Sequence, residues 1–484
     1  MSPEMPGDGM NPVPSPPPLK ALDRRPPRGH PGGNAPREIP MNTPPPPTLH
    51  ALRRGDLAGA KVLRLSGKLE EFPPEIFGLA DTLELLDLSD CGLTELPDDI
   101  GRLKRLRVLF CSGNRFERLP PALGDCPALS QVGFRATGLR EVPGEALPPA
   151  LRWLTLTDNR IAHLPDALGR RPHLQKLMLA GNRLEALPAS LEGAQSLELL
   201  RLSANRFDAL PAWLTALPRL AWIAWAGNPL DGDPAPARVP QVPWEALAVG
   251  PCLGEGASGR IHRALWRRPD GEAAVAVKLF KGRMTSDGLP EQEMAACLAA
   301  GRHPHLTGAL GRIEGHPDGV QGLLMPLIPE GWRVLAGSPS LESCSRDVYA
   351  PDLALPPETA LRIATGVARA AAHLHGCGVL HGDLYGHNTL WDGGAGEAVL
   401  SDFGAASVLP PGEAGAPWQR IETRAWGLLL GELLDHCATE PADIAGLRAL
   451  EQACRQADPR ARPSMAEVVR TITPHLSLDR HMDA

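Results

Sequence analysis

The chain has 484 residues, a formal net charge of −7 at pH 7 and an apolar fraction of 43%. This length exceeds what one hydrophobic core usually serves, so we expect two or three domains. The negative charge argues against a nucleic-acid partner, because phosphate contacts need a clustered basic face. Nine scattered cysteines without a CxxC pair are typical of reduced thiols. With neither a signal-peptide pattern nor an apolar run of about 20 residues, we predict a cytoplasmic protein with no membrane partner.

Residues 1–48 are dominated by proline and contain the run TPPPP. Proline lacks a backbone N–H and fixes its own φ, so neither a helix nor a sheet interior is expected there. We predict a disordered leader with polyproline II character. A ligand for proline-reading domains is the alternative, and a solvated leader is the favoured interpretation.

Residues 49–231 carry a repeat of 22 or 23 residues with the pattern LxxLxLxxNxL, seen clearly in LRWLTLTDNRIAHLP and LQKLMLAGNRLEALP. The pattern resembles the leucine-rich repeat, which implies a solenoid with one short strand per unit and the leucines in a shared core. Recurrent asparagines are expected to satisfy turn backbone between neighbouring units. They are Asn114, Asn159, Asn182, Asn205 and Asn228.

The positions between the strand leucines are expected to face the concave side of the solenoid. Several are large and apolar, which exceeds what a solvated strand face usually carries and favours a protein-binding surface. The proposed contact residues are Phe110, Trp153, Met178, Leu199 and Trp222. For Trp222, in the last unit, capping of the solenoid or packing on the next domain is the alternative.

A stiff, proline-rich linker is predicted for residues 232–243, followed by a second domain at 244–476 and a tail at 477–484. The second domain opens with LGEGASGRI, a GxGxxG turn whose backbone N–H groups can close over phosphates. Alone this signal is weak, because a Rossmann loop shares the spacing. The apolar strand AAVAVK follows where a Rossmann unit would place a helix, and this context favours a hairpin that covers a nucleotide. Lys278 ends that strand, nineteen residues after Gly259.

Two further motifs follow in order, HGDLYGHN and SDFG. They place Asp383 and Asn388 five residues apart, and Asp402 fourteen residues after Asn388. Carboxylate and amide oxygens are hard ligands that suit Mg²⁺. Together with the glycine-rich turn and the lysine, this order resembles a protein kinase over roughly residues 244–476. The expected fold is therefore multidomain: a leucine-rich-repeat solenoid followed by a two-lobed α+β kinase fold.

The resemblance implies a role for each motif residue. Asp383 accepts the proton of the substrate hydroxyl, Asn388 and Asp402 hold Mg²⁺, and Lys278 contacts the phosphates of ATP. An acidic residue on the following helix must hold Lys278; Glu291 and Glu293 compete, and the spacing favours Glu293. His381 is expected to be a packing residue. The implied nucleotide-binding residues are Leu253, Gly254, Glu255, Gly256, Ala257, Ser258, Gly259, Ile261, Ala276, Lys278 and Leu390.

The sequence also departs from the family pattern. Gly382 stands where an arginine is usual, Tyr385 where a lysine is usual, and Glu422 where an aspartate is usual. The segment after DFG is short, lacks an APE motif, and has Ser407 as its only hydroxyl residue; Arg462 normally pairs with the missing APE glutamate. We predict a complete nucleotide half, a reduced protein-substrate platform, and no need for activation-segment phosphorylation.

The domain order resembles bacterial leucine-rich-repeat protein kinases. The predicted function is ATP-dependent phosphorylation of a protein, on serine or threonine, with the repeats selecting a protein substrate or partner. A nucleotide-binding pseudokinase scaffold is the main alternative. A small-molecule kinase with a protein-like fold is a third, and the repeats argue against it.

Overall fold

The computed structural model of the protein describes residues 49–231, 240–282, 284–285 and 287–478. The predicted leader, most of the predicted linker and the last six residues lie outside the described part. Within the described residues, no helix is both long enough and apolar enough to cross a membrane. All nine cysteines lie in the described residues, and no disulfide bond joins any of them there.

The first domain is a single parallel sheet that runs in chain order from β1 to β8 after a short helix, α1 (Leu49–Arg53). The central residue of each strand points into the core, which explains the strict apolar spacing of the repeat. The strands are β1 (Val62–Arg64), β2 (Leu85–Asp87), β3 (Val108–Phe110), β4 (Gln131–Gly133), β5 (Trp153–Thr155), β6 (Lys176–Met178), β7 (Leu199–Arg201) and β8 (Trp222–Ala224).

Short 3₁₀ helices return the chain between the strands. Most of them follow a Leu-Pro or Val-Pro pair, because the fixed φ of proline suits the entry to a helical turn. A repeat of 22 or 23 residues leaves little length for a longer helix. The 3₁₀ segments are Pro74–Leu79, Ile100–Arg102, Pro121–Asp125, Gly144–Ala146, Asp166–Arg170, Ala189–Gly193 and Ala212–Ala216.

The asparagine column joins each repeat to its neighbour. The amide nitrogen of Asn182 donates to the carbonyl oxygens of Leu156 and Leu179, both at 2.9 Å, and its oxygen accepts from the Ile161 N–H at 3.1 Å. Asn182 is 7% exposed, so these bonds are made away from water. The side chain therefore satisfies turn backbone of two successive units.

Replacing Asn182 with alanine should lower the free energy of unfolding by about 3 kcal/mol, because buried backbone groups lose their partners. Urea titration at pH 7 measures this change. Gln195→Ala is the control, since its amide lies at the exposed surface, and we expect a change within about 0.5 kcal/mol. Equal effects of the two substitutions would contradict the assigned role of the asparagine column.

The second domain begins with a sheet in the order β10-β11-β12-β14-β13-β9. One helix, α2 (Pro290–Ala300), follows β12. The strands are β9 (Gln241–Pro243), β10 (Leu247–Glu255), β11 (Gly259–Arg268), β12 (Gly271–Phe280), β13 (Gly311–Glu314) and β14 (Gly322–Pro326). The predicted linker included Gln241–Pro243. These residues instead pair in parallel with β13, because Val242 is 1% exposed and belongs to the core of this lobe.

The second lobe is built around two 20-residue helices, α3 (Pro357–Gly376) and α4 (Ala416–Asp435). The indole N–H of Trp426 on α4 donates to the Ala364 carbonyl of α3 at 2.9 Å. The remaining elements are β15 (Arg333–Val334), β16 (Val379–Leu380), β17 (Thr389–Trp391), β18 (Ala398–Leu400), β19 (Ser407–Val408), α5 (Ile444–Cys454), α6 (Met465–Ile472) and α7 (His475–Leu478). Further 3₁₀ turns are Pro229–Asp231, Trp244–Ala246, Gly386–Asn388, Gly412–Gly415 and Pro459–Ala461.

Two pairs of short strands flank the motif loops of the second lobe. Strand β16 pairs with β19, and β17 pairs with both β15 and β18. The HGDLYGHN motif lies between β16 and β17, and the DFG motif lies between β18 and β19. The short strands thus hold the two motif loops next to each other.

The two domains share their hydrophobic cores. Leu380, Leu409, Trp418 and Ile421 of the second domain belong to the core cluster of the repeats. In return, the second domain's core contains several residues of the repeats, which are Met178, Leu199, Ala221 and Trp222. The concave side of the last repeats therefore packs on the second domain.

This packing corrects the prediction of an open concave surface. Met178, Leu199 and Trp222 are 7%, 4% and 1% exposed, and they contact the same chain's second domain. The alternative given for Trp222, packing on the next domain, describes its position. Phe110 and Trp153 are half-buried and keep part of their rings accessible.

Candidate active site

The glycine-rich turn connects β10 to β11. Gly259 lies so close to the neighbouring strand that an added Cβ would stand 2.5 Å from the Leu279 carbonyl oxygen. Gly254 and Gly256 face open space, so their lack of side chains keeps the region beneath the turn accessible. Glu255 forms ion pairs with Lys281 and Arg260 at the rim. The turn also includes Ala257 and Ser258, and it can cover a nucleotide with backbone N–H groups.

Lys278 lies on β12 and forms an ion pair with Glu293 of α2. Its side chain is 11% exposed and that of Glu293 is 3% exposed, whereas Glu291 faces solvent. Burial by itself lowers the pKa of Lys278, but the carboxylates of Glu293 and Asp402 outweigh burial and raise it above its ordinary value. Lys278 is therefore a fixed cation at the back of the cleft.

Apolar residues line the cleft beside this cation. Ala276 is buried on β12, and Ile261 is half-buried on β11, where it lies opposite Lys278. Leu390 is half-buried between two buried neighbours on β17, and Leu253 is 43% exposed at the entrance. Leu253, Ile261 and Ala276 belong to the first sheet of the kinase domain, and Leu390 belongs to β17 of the second lobe.

The HGDLYGHN segment, residues 381–388, has the position of the catalytic loop in the kinase pattern and holds Asp383 and Asn388 together. The Asn388 amide nitrogen donates to the Asp383 carboxylate at 2.8 Å and to the Asp383 carbonyl oxygen at 2.9 Å. Both amide hydrogens are used in this way, which leaves the amide oxygen available to accept a hydrogen bond or to bind a cation. His381 is fully buried: its Nδ1 accepts from the Asp383 N–H, and its Nε2 donates to the Ser401 carbonyl.

Asp402, in the DFG motif, is the second aspartate of the site besides Asp383. Its φ of 63° lies in the left-handed region, and one carboxylate oxygen accepts from the Gly404 N–H at 3.0 Å. The residue is exposed, so the carboxylate can take a hydrated cation. Among the described residues, no three His, Cys, Asp or Glu side chains cluster to hold a metal. Asn388 and Asp402 nevertheless fit Mg²⁺, which commonly uses one or two protein ligands together with phosphates and water.

A residue of the repeats enters this site. Arg201 of β7 donates to the Asp383 carboxylate, to the Gly382 carbonyl oxygen at 3.1 Å, and to Asp287 at 2.6 Å. Its side chain is 1% exposed. Burial lowers the pKa of a guanidinium, but the charges of Asp383 and Asp287 outweigh burial and raise the pKa of Arg201 above its usual value. Its guanidinium is therefore a permanent cation beside the catalytic loop.

Sequence reasoning missed Arg201 as a site residue. The residue occupies a concave column of the repeat, a position that the sequence does identify, and it is a lone arginine among mostly uncharged residues there. The residues of that column predict a contact surface but do not identify the partner that contacts it. Asp383 is 182 positions later in the chain, so no local pattern connects the two residues.

The repeats also explain two departures from the kinase pattern. Gly382 has a φ of 73°, and a Cβ there would stand 2.5 Å from the Ile223 carbonyl oxygen of β8. An arginine at this position is excluded by the approach of the repeat backbone. Tyr385 stacks on Trp222 with ring centroids 4.2 Å apart and planes 7° apart, and the Trp222 indole N–H donates to the Leu384 carbonyl at 3.0 Å.

Glu422 of α4 supports the loop from below. Its carboxylate accepts from the Gly382 N–H at 2.7 Å and from His375 Nε2 at 2.8 Å, and the side chain is 1% exposed. Burial raises the pKa of a carboxyl group. The bond and charge of His375, with smaller contributions from His381 and the Gly382 N–H, outweigh burial and hold the pKa of Glu422 below its usual 4.5.

Comparison with known proteins agrees with this geometry. Residues 247–421 match the family model described as protein tyrosine and serine/threonine kinase. Residues 149–207 and 82–103 match models of the leucine-rich repeat. The chain therefore carries leucine-rich repeats followed by a protein kinase domain.

Three curated relatives show how far the similarity extends. TMV resistance protein N of Nicotiana glutinosa is 42% identical over 81 residues, which is 16% of this chain and 7% of that protein. Disease resistance protein RFL1 of Arabidopsis thaliana is 35% identical over 95 residues, 19% of this chain and 11% of that protein. Podocan of Mus musculus is 31% identical over 132 residues, 26% of this chain and 20% of that protein. The chain spans at most a fifth of these relatives, and they lend no support to the bacterial grouping predicted from the domain order.

Replacing Glu422 with glutamine should lower the free energy of unfolding by about 2 kcal/mol at pH 7, since a buried charged acceptor is lost. A carboxyl with a lowered native pKa stabilises the fold above its unfolded pKa, and this contribution disappears as the pH falls through the native pKa. The difference from the wild type should thus be constant above about pH 5 and shrink below about pH 4.5. Urea unfolding at pH 7, 5 and 4 measures it, with exposed Glu413→Gln as the control. A difference that is unchanged at pH 4 would contradict the ionised role of Glu422.

Proposed function

We propose that the protein is an ATP-dependent protein kinase that transfers the γ-phosphate to a serine or threonine hydroxyl. The observation that carries the proposal is the assembled set of Lys278 paired with Glu293, Asp383 held by Asn388, and Asp402 at the cleft. Phosphoryl transfer depends mainly on positioning and on charge stabilisation, and this set supplies both. The bacterial grouping and a cytoplasmic location remain predictions from the sequence.

Each residue has a separate task in this proposal. Lys278 holds the phosphates of ATP, while the glycine-rich turn covers them from above. Asn388 and Asp402 would hold Mg²⁺, which neutralises charge on the phosphates when bound. Asp383 accepts the hydrogen bond of the acceptor hydroxyl and takes up its proton. The apolar cleft lined by Ala276 and Leu390 holds the adenine ring.

A nucleotide-binding scaffold without turnover is the second candidate. It is favoured by one observation, because the repeats cover much of the region around Asp383 and leave its side chain only 17% exposed. The preserved pairing of Lys278, Asp383 and Asn388 argues for catalysis, since a scaffold has no need for it. Phosphoamino-acid analysis of the product separates serine and threonine from tyrosine as acceptors.

Asp383→Asn and Asp402→Asn should both abolish transfer but differ in nucleotide binding. Loss of the base at Asp383 should lower kcat at least about 100-fold while the Kd for ATP with Mg²⁺ changes less than about threefold. Loss of the metal ligand at Asp402 should weaken ATP binding about tenfold or more. Labelled ATP measures transfer, and calorimetric titration measures binding.

The matched control for these variants is Asp270→Asn, whose carboxylate is exposed at a hairpin of the first lobe. It should leave both transfer and binding unchanged. Undiminished transfer by the Asp383 variant would sink the kinase assignment. Wild-type protein that binds ATP with Mg²⁺ but labels no acceptor would favour the scaffold.

We further propose that the part of the concave face near Phe110 and Trp153 binds a protein partner. Both aromatic rings remain half-buried, and the Lys176 ammonium lies 4.1 Å from the centroid of the Trp153 ring. Aromatic side chains of this kind often carry a large share of binding energy.

Replacing Phe110 and Trp153 with serine should weaken partner binding about tenfold or more and leave transfer to a generic acceptor unchanged. Quantitative pull-down followed by titration of a recovered partner measures this loss. Arg118→Ser, at an exposed position of the repeats, is the control. If both forms bind the same partners equally, this part of the concave face is not the docking surface.

A further inference from the structure

The catalytic loop departs from the kinase pattern where the repeats contact it. Gly382 lies against the Ile223 carbonyl, and Tyr385 lies against the Trp222 ring. Neither departure leaves a gap, because a group from β8 fills the space in each case. The loop residues thus fit the repeat strand that contacts them.

In the segment after the DFG motif, contacts with the repeats likewise stand where the usual kinase pattern has other contacts. Arg462, which normally pairs with the missing APE glutamate, donates to the Pro218 carbonyl oxygen of the repeats at 2.8 Å. Ser407 is 1% exposed, and its hydroxyl oxygen accepts from the Trp225 N–H at 2.9 Å. Ser407 is the only hydroxyl residue between positions 405 and 421, and here it serves as a buried interface contact.

Arg201 connects two parts of the kinase domain. One end of its guanidinium binds Asp383 in the catalytic loop, and the other binds Asp287. Asp287 lies three residues before α2, the helix that carries Glu293 and thereby holds Lys278. The arginine bridges the catalytic loop to the segment that leads into this helix.

We propose that the last repeats replace a phosphorylated activation segment and that Arg201 is the positioning residue for Asp383 and α2. The inference rests on the proposed kinase function and names the device that keeps the site assembled. In many kinases an arginine before the catalytic aspartate binds a phosphate on the activation segment and so couples that segment to the site. Here a guanidinium from the repeats makes the coupling directly, with two carboxylates of the kinase domain as its partners.

The contacts favour a supporting role for Arg201 over a blocking one. Each carboxylate oxygen has two lone pairs, so Asp383 can still accept a hydroxyl while Arg201 and Asn388 bind it. Beside the ion pairs of Arg201, apolar residues of each domain belong to the core of the other, which is typical of permanent contacts. A removable inhibitor would instead need an interface that opens without exposing buried tryptophans.

Arg201→Ala should lower kcat about tenfold to about 100-fold, with the KM for ATP changed less than about threefold, because a misplaced base slows chemistry more than binding. Arg201→Lys keeps the positive charge but lacks the forked donor geometry of the guanidinium, so it should recover part of the lost kcat. Arg206→Ala is the control, an exposed arginine of the same repeat. Dephosphorylated casein and labelled ATP with Mg²⁺ are the probes, and protein treated with phosphatase should be as active as untreated protein.

Hydrogen exchange gives a readout that does not depend on activity. Arg201→Ala should speed amide exchange in residues 381–388 and 290–300, whereas Arg206→Ala should not. Faster transfer by either Arg201 variant would identify Arg201 as an inhibitory plug and overturn the proposal, as would unchanged kcat or unchanged exchange. The two proposals can also fail separately. If Arg201→Ala exchanges faster than the wild type but the wild type transfers no phosphate, the kinase function fails and the positioning role of Arg201 stands.

Discussion

The structure depends on one contact, the seating of the last two repeat strands on the catalytic loop. Backbone of β8 occupies the space of a side chain at Gly382, the Trp222 ring lies on Tyr385, and Arg201 reaches the Asp383 carboxylate. Apolar residues of each domain are counted in the other's core, so separating the domains would expose large buried surfaces. The repeats thus form a domain of their own and also contribute residues to the core of the kinase domain.

This contact divides the site into two halves with different support. The nucleotide half is made within the kinase domain, where β12 and α2 hold Lys278 and Glu293 in a buried ion pair. The half that would hold the acceptor in the proposed kinase function is shared, because Asp383 is held by Asn388 from its own loop and by Arg201 from the repeats. Buried charges are retained only when they are paired, and the aspartates and the arginine satisfy one another here.

The solenoid is likewise divided along its length. Its last strands pack on the kinase domain, and polar contacts with that domain reach back to Arg135 and Arg152, which donate to the carbonyl oxygens of Met284 and Glu342. Beside these contacts, Phe110 and Trp153 stay half-buried and partly accessible. A solenoid permits this division, because each repeat contacts mainly its neighbours and the asparagine column holds the array together throughout. One end can therefore be fixed without distorting the other.

The sequence by itself determined the elements that come from local patterns. The repeat period placed the strands and the asparagine column, and the resemblance of the motifs to protein kinases implied that Lys278, Asp383, Asn388 and Asp402 belong to one site. Tertiary structure alone decided what covers each face. It turned Met178 and Trp222 from exposed candidates into buried contacts, added β9 to the sheet, and brought Arg201 to Asp383. The physical reason is that periodicity reports which face of a strand a residue occupies, whereas the partner of that face is set by packing between segments far apart in the chain.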